Sequence, residues 1–259
     1  LEKGVAKKES DAVIIPMNGT PLLIQKSDES TLYAARDIAT VKYRMKKRPK
    51  KILYVVGSEQ KLYFKQVFFA AQRLGYLKDE GVHVDFGLVS LPEGRMSTRA
   101  GRIIFLEDLI NETAKFALQT IEEKNPDLEG KENIAEIVAL GAIKYNDLSR
   151  DRTKNIIFDW KEALSFEGDT GPYLQYTVVR ANSVLQKTKK KPSLKNTNQL
   201  REKNEIGIIK TLSQFPDVVG SSLNEYKPHH IANYLNRLAS EFNEYYHTTK
   251  IIGSQQEIQ

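Results

Sequence analysis

The spacing of hydrophobic positions changes along the chain, and the changes divide it. Up to about residue 27 the apolar runs are short and end at turn residues. Ala12-Val-Ile-Ile15 stops at Pro16, and Leu22-Leu-Ile24 follows Gly19-Thr-Pro21, so short strands are expected. Asp28 and Ser30 then stand where helix caps are expected. Beyond them Leu32, Ala35, Ile38, Ala39 and Tyr43 recur at helical spacing, predicting a helix from about Thr31 to Lys47 that Pro49 ends. Ile52-Leu-Tyr-Val-Val56 reads as a strand covered on both faces. Gly57-Ser58 turns the chain into a helix from Glu59 to Leu74, and Val82 to Val89 reads as the next strand. Helix, strand, helix, strand at this interval is the rhythm of a doubly wound α/β sheet, whose ligands lie beyond the carboxyl ends of the strands.

Beyond Gly101 the period becomes helical. Helices are predicted over about Leu106 to Lys124 and Asn133 to Leu148, the second with Ile134, Ile137, Val138, Gly141, Ala142, Tyr145 and Leu148 on one stripe. An apolar run, Ile156-Ile-Phe-Asp-Trp160, precedes a polar, glycine-containing hinge at Glu167 to Pro172, where a domain boundary is expected: residues 1–165 on one side and 166–259 on the other. Pro172 suits a helix start, and further helices are read at about Asn198 to Leu212, Asp217 to Tyr226 and Pro228 to Thr249. The expected fold is therefore α/β followed by all-α.

Charge narrows the partner. The formal net charge is +6, and it is clustered. Lys42, Arg44, Lys46, Lys47, Arg48, Lys50 and Lys51 fall in ten residues without a carboxylate, and Lys187 to Lys203 repeats the pattern against Glu202 alone. Each cluster can be a solvated helix end or a surface that neutralises phosphates. The chain has no cysteine, which excludes disulfides, cysteine–zinc sites and thiol nucleophiles. No metal site is read, and no apolar run reaches the length of a membrane span, so a cytoplasmic protein without membrane contact is expected.

Four groups of residues carry candidate chemistry. The loop after the second strand places Arg95, Met96, Ser97, Thr98 and Arg99 between Gly94 and Gly101; two guanidinium groups and two hydroxyls there could hold phosphate oxygens, or simply face water. Tyr33 and Asp37 lie one helical turn apart and, with the amide of Gln60, could receive a guanidinium; equally, Asp37 could pair with a surface lysine while Tyr33 packs in the core. His83 reads as a core histidine bonded to backbone. In the helical part Tyr173, Tyr176 and Arg180 share a face, and Tyr245, Tyr246 and His247 sit near the last helix end. Aromatic rings beside cations can stack the splayed bases of a single-stranded loop, or form a packing stripe.

The stretch His83-Val-Asp-Phe-Gly-Leu-Val89 with Arg95-Met-Ser-Thr-Arg99 resembles the Met-Ser-Thr-Arg version of the KMSKS signature of class I arginyl-tRNA synthetases. Leu32-Tyr-Ala-Ala-Arg-Asp-Ile-Ala39, Tyr54-Val-Val-Gly-Ser-Glu-Gln60 and Phe166-Glu-Gly-Asp-Thr-Gly-Pro-Tyr-Leu-Gln-Tyr176 are similar to further blocks of that family, in its order. The resemblance implies the C-terminal half of a Rossmann-like nucleotide-binding domain with a helical connector, then an α-helical anticodon-binding domain. It implies ATP-dependent formation of arginyl-adenylate and transfer of arginine to its tRNA. ATP, L-arginine and the arginine tRNA would be the partners, Mg²⁺ would come with the nucleotide, and no cofactor would be tightly bound. By resemblance Tyr33, Asp37 and Gln60 bind arginine; His83, Val84 and Gly87 lie against the adenine; the Arg95 to Arg99 loop grips phosphate; and Tyr173, Tyr176, Arg180, Tyr245 and Tyr246 meet the anticodon loop.

Two departures from the family pattern matter. Arg95 and Thr98 replace the two lysines of KMSKS, and the His-Ile-Gly-His signature does not occur, so arginine activation by this chain alone is not expected. After Ile252 the family usually adds an apolar helix that closes the bundle, where this chain has a polar tail. The parent enzyme would be a monomer, whereas here an exposed apolar groove and self-association are expected. The alternative is a non-catalytic RNA-binding protein derived from a synthetase.

Overall fold

The computed structural model describes residues 1–78, 80–90, 105–188 and 200–253, which fall into two compact units, Leu1–Gly87 and Leu88–Gln259. The signature loop at Arg95 to Arg99 and most of the second basic cluster lie outside the described residues.

The first unit opens with an antiparallel sheet of β1 (Lys7–Glu9), β2 (Ala12–Ile15) and β3 (Leu22–Gln25) in that order. Asp28 and Ser30 do not cap the next helix as expected. Asp28 instead accepts hydrogen bonds from the amide and hydroxyl of Ser30, at 2.9 and 2.5 Å, closing a turn with Glu29 at a φ of 65°. Helix α1 (Tyr33–Met45) follows, without a side-chain cap. Strand β4 (Ile52–Gly57) leads through a 3₁₀ turn, Ser58–Gln60, into α2 (Lys61–Arg73), and β5 (Gly81–Phe86) returns parallel to β4 with Tyr54 opposite His83 and Gly57 opposite Phe86. This is a strand, helix, strand crossover.

Both helices pack on one face of that parallel pair. Val41, Ile52, Tyr54, Phe64 and Val67 belong to one buried cluster, while Leu53 and Val55, on the opposite face of β4, are exposed. The unbroken apolar run read as a strand covered on both faces is thus covered on one, because an apolar side chain signals burial without naming the layer that supplies it.

The strand expected over Val82 to Val89 is two strands in two sheets. β5 ends at Phe86, and after Gly87 the short β6 (Val89–Ser90) pairs in parallel with β7 (Ile156–Ile157). The side-chain amide of Asn155 accepts from the Leu88 amide at 2.9 Å and helps fix that new pairing. Hydrophobic alternation continues through Gly87, so periodicity alone joins the two.

The second unit is helical. α3 (Leu106–Lys124) has the bounds its periodicity predicts, and α4 (Lys131–Leu148) begins two residues early, after Gly130 with φ 68°. A single turn, α5 (Trp160–Ala163), is capped by Asp159 and packs with Phe158, Ala117 and Ala142. Next come α6 (Gly171–Lys187), α7 (Lys203–Ser213), α8 (Phe215–Glu225) and α9 (His229–Thr248). α6 crosses α4 at two glycines: a Cβ on Gly171 would stand 2.4 Å from the Gly141 carbonyl oxygen, and one on Gly141 would meet the Gln175 side chain at 2.6 Å. Among the described residues Val179, Leu185, Leu212 and Leu223 are exposed on α6, α7 and α8.

Candidate functional site

In the first unit the candidate groups sit on α1, on the turn after β4 and along β5. Asp37, on the inner side of α1, is half-buried, and its carboxylate accepts a 2.5 Å hydrogen bond from the hydroxyl of Tyr63 on α2. Burial, and then the Asp37 carboxylate, raise the Tyr63 hydroxyl well above the ordinary tyrosine value, so it remains a donor. Tyr33 is 77% exposed one turn before Asp37, and Gln60 is exposed at the start of α2. The lysine partner that a surface Asp37 would take does not occur among the described residues. Tyr63 was missed by sequence reasoning, although it lies one turn beyond Gln60 and faces α1 from the same helix.

His83, partly buried, has its Nε2 3.0 Å from the Val56 carbonyl oxygen and its ring 5.0 Å from that of Phe64, tilted by 37°. Val84 stands opposite Val55, and Gly87 follows the end of β5. At the carboxyl ends of the two parallel strands the Ser58 hydroxyl is shared between an Asp85 carboxylate oxygen and the Phe86 carbonyl, both at 3.1 Å. That bond ties the strand ends together where ligands of such sheets approach.

In the second unit the structure gathers residues from α6 and α9 around Arg180. Its guanidinium donates to the Asn243 side-chain oxygen at 2.8 Å, lies 3.0 Å from His247 Nε2, and reaches the Tyr176 hydroxyl at 3.3 Å. The same group sits over the rings of Tyr176 and Tyr246, at 4.3 and 5.2 Å from their centroids. Beneath it, buried Asn243 donates to Thr177 Oγ1 at 2.8 Å, and Thr177 donates to the Tyr173 carbonyl at 2.9 Å. The guanidinium plane is thus fixed before any ligand arrives.

Beside it opens a cavity of about 650 Å³ lined by Lys124, Phe166, Tyr173, Tyr176, Arg180 and His247, among others. Phe166 meets Tyr176 edge-on at 6.4 Å, and the Lys124 ammonium lies 5.1 Å from the Phe166 ring. Of the five residues expected here, Tyr173, Tyr176, Arg180 and Tyr246 come together. Tyr245 does not. Its hydroxyl faces Glu205 of α7 at 3.4 Å, and burial beside that carboxylate raises its pKa. Asn243 and Phe166 were missed; the spacing of Asn243 and His247, one turn apart on α9, was the available signal.

A rigid cation between aromatic rings, open to a cavity with further rings and cations, suits a nucleic-acid loop, and a parallel strand pair with polar groups at its carboxyl ends suits a nucleotide-binding domain. Both features are those expected of an aminoacyl-tRNA synthetase of the sheet-based kind, and the comparisons supply the class. The profile of the class I (R) tRNA synthetase catalytic domain matches residues 1–160, and that of the DALR anticodon binding domain matches residues 174–259. The chain belongs to the arginyl-tRNA synthetase family.

The arginine–tRNA ligase of Halothermothrix orenii is 44% identical over 99% of this chain and 46% of its own length, and that of Levilactobacillus brevis is 44% identical over 93% and 43%. The chain thus spans about half the length of the curated relatives it matches. Among solved structures, Thermus thermophilus arginyl-tRNA synthetase superposes with a TM-score of 0.85 at 24% identity, covering 99% of this chain and 51% of that one. The Plasmodium falciparum enzyme gives 0.82 at 24% identity, with 99% and 45% covered. These likenesses establish a class I synthetase fold followed by a helical anticodon-type domain. Among the described residues no helix is long and apolar enough to cross a membrane, and no group of three or more His, Cys, Asp or Glu side chains is placed to hold a metal.

Proposed function

We propose that this chain acts in the arginylation of tRNA, supplying the amino-acid pocket, the phosphate-gripping loop and the anticodon contact of an arginine–tRNA ligase. The observation that carries the reading is Arg180, held by Asn243, His247 and Tyr176 between two tyrosine rings at a cavity wide enough for a splayed base. In this reading residues 166–259, joined by Lys124 at the end of α3, read the anticodon loop: bases stack on Tyr173, Tyr176 and Tyr246 while Arg180 and Lys124 meet the backbone. Tyr245 supports them from behind.

Residues 1–165 supply part of the activation site, which this chain alone does not complete. Asp37, aimed by the hydrogen bond from the Tyr63 hydroxyl, receives the arginine guanidinium, with Tyr33 and Gln60 at the sides of the pocket. His83, Val84 and Gly87 line the adenine, and Ser97, Thr98, Arg95 and Arg99, with Met96 between them, hold the phosphates. The arginine carboxylate attacks the α-phosphorus of ATP and displaces pyrophosphate, and a hydroxyl of the 3′-terminal ribose of the tRNA then attacks the arginyl carbonyl of the adenylate, releasing AMP. Positioning and charge stabilisation would supply most of the rate, and Mg²⁺ brought with ATP would supply charge neutralisation at the leaving pyrophosphate. The exposed apolar residues on α6, α7 and α8 support self-association of the chain in isolation.

The test is titration of the chain with an arginine tRNA transcript, one with a changed anticodon and one for another amino acid, at two salt concentrations. Discrimination that persists at the higher salt is expected, because base readout is not a counterion effect. Equal affinities that fall together with salt would overturn the anticodon assignment.

A further inference from the structure

The cations around the end of α1 are more numerous than the fold requires. A helix C-terminus presents about half a negative charge, which one or two cations offset, and Lys42 and Arg44 already occupy the last turn. Beyond it the chain turns sharply at Arg48, with φ 52°, and runs through Pro49 into β4, exposing Lys46, Lys47, Arg48 and Lys50. None of these four has an ion-pair partner among the described residues, and Lys51 reaches Glu80 only at 4.0 Å. A cluster of like charges without carboxylates pays for its self-repulsion unless a polyanion meets it.

The flanking cations are also held in place. Lys42 and Lys3 lie at 5.0 Å from the same Tyr76 ring, and Arg44 lies 5.2 Å over Tyr54. Tyr43, 63% exposed between Lys42 and Arg44, adds an open aromatic face. Cations fixed on rings beside an exposed ring fit a phosphodiester backbone better than a mobile lysine tail would.

We infer that the basic face formed by Lys42 to Lys50 at the end of α1 is a second RNA contact, which grips the phosphate backbone of the bound tRNA independently of the α6–α9 cavity. The inference rests on the reading of the chain as tRNA-binding, and it assigns to this face affinity without base selection. It includes none of the residues proposed to bind arginine or adenine.

The experiment uses the whole chain with Lys46→Gln, Lys47→Gln and Lys50→Gln combined, three exposed side chains without contacts to lose. Binding to the same three transcripts is followed from low to moderate salt. The variant is expected to bind all of them at least about tenfold more weakly at low salt, with a salt slope shallower by about one unit per phosphate contact removed and an unchanged ratio between transcripts. An unchanged slope and affinity would overturn the assignment, as would wild-type chain pelleting with phosphatidylserine vesicles while the variant keeps its RNA slope. Failure of the anticodon reading would show separately, as absence of discrimination by the wild-type chain.

Discussion

Arg180 takes its role from what surrounds it. An arginine on an exposed helix face is ordinarily solvated, but here Asn243 and His247 occupy its donors and Tyr176 and Tyr246 flank its plane. Lysine at this position would keep the charge and lose both the fork and the stacked plane. Arg180→Lys is therefore expected to weaken binding of the arginine tRNA by about 1–3 kcal/mol, roughly 5-fold to 150-fold, with an unchanged circular dichroism spectrum. Wild-type affinity in the variant would show that only charge matters there. The i, i+4 spacing of Tyr176 and Arg180 was legible in the sequence, and so was that of Asn243 and His247. That the two pairs meet across more than sixty residues was not, because spacing fixes the face of a helix and leaves its neighbour open. Tyr245 makes the point in reverse: adjacent to Tyr246, it points about 100° away around α9 and packs against Glu205 of α7.

At the scale of elements, the block from Glu167 to Tyr176 is a docking device for α6. Thr170 caps the helix by accepting from the Tyr173 amide at 3.2 Å, and its own hydroxyl donates to the Ser165 carbonyl. Gly171 then lets the first turn of α6 rest on the backbone of α4 at Gly141. The two glycines are not equivalent. Alanine at 171 meets carbonyl oxygen and carbon of a helix backbone, which must move away, whereas alanine at 141 meets the end of the flexible Gln175 side chain. Gly171→Ala is expected to destabilise the chain by about 1–3 kcal/mol and Gly141→Ala by less, read as the difference in melting temperature between the two variants. Equal shifts would mean that the crossing yields as a unit. Sequence patterning found these helices within a few residues of their ends, since each has a clear apolar stripe. It joined β5 to β6 because Gly87 lies in an apolar run, and only pairing partners separate the two strands.

The whole molecule carries several tyrosines whose ionisation folding opposes. Burial pushes the Tyr145 hydroxyl up to about 12, with the charge of Asp169 adding to the effect, and raises Tyr63, Tyr54 and Tyr245 as well. In each the folded-state pKa exceeds the unfolded value near 10, so the native state holds the proton longer. That contribution is complete below pH 10 and is lost as pH rises through the folded values. Unfolding midpoints in denaturant should hold steady from pH 8 to about 10 and then fall toward pH 12. Tyr145, whose hydroxyl finds no hydrogen-bond partner among the described residues, allows a sharper measurement. Tyr145→Phe should leave stability at pH 7 equal or higher by about 1 kcal/mol and make the alkaline decline shallower. A large loss at pH 7 would mean that the hydroxyl is bonded. By itself the sequence determined the class of fold, the positions of most helices and the family, because periodicity, capping and short motifs are local and survive in one dimension. Only the tertiary structure decided that Asp37 works with Tyr63, that Arg180 is clamped between α6 and α9, and that Tyr245 is a bundle contact. Those depend on which faces meet, and a pairing between distant segments leaves no periodic trace in either one.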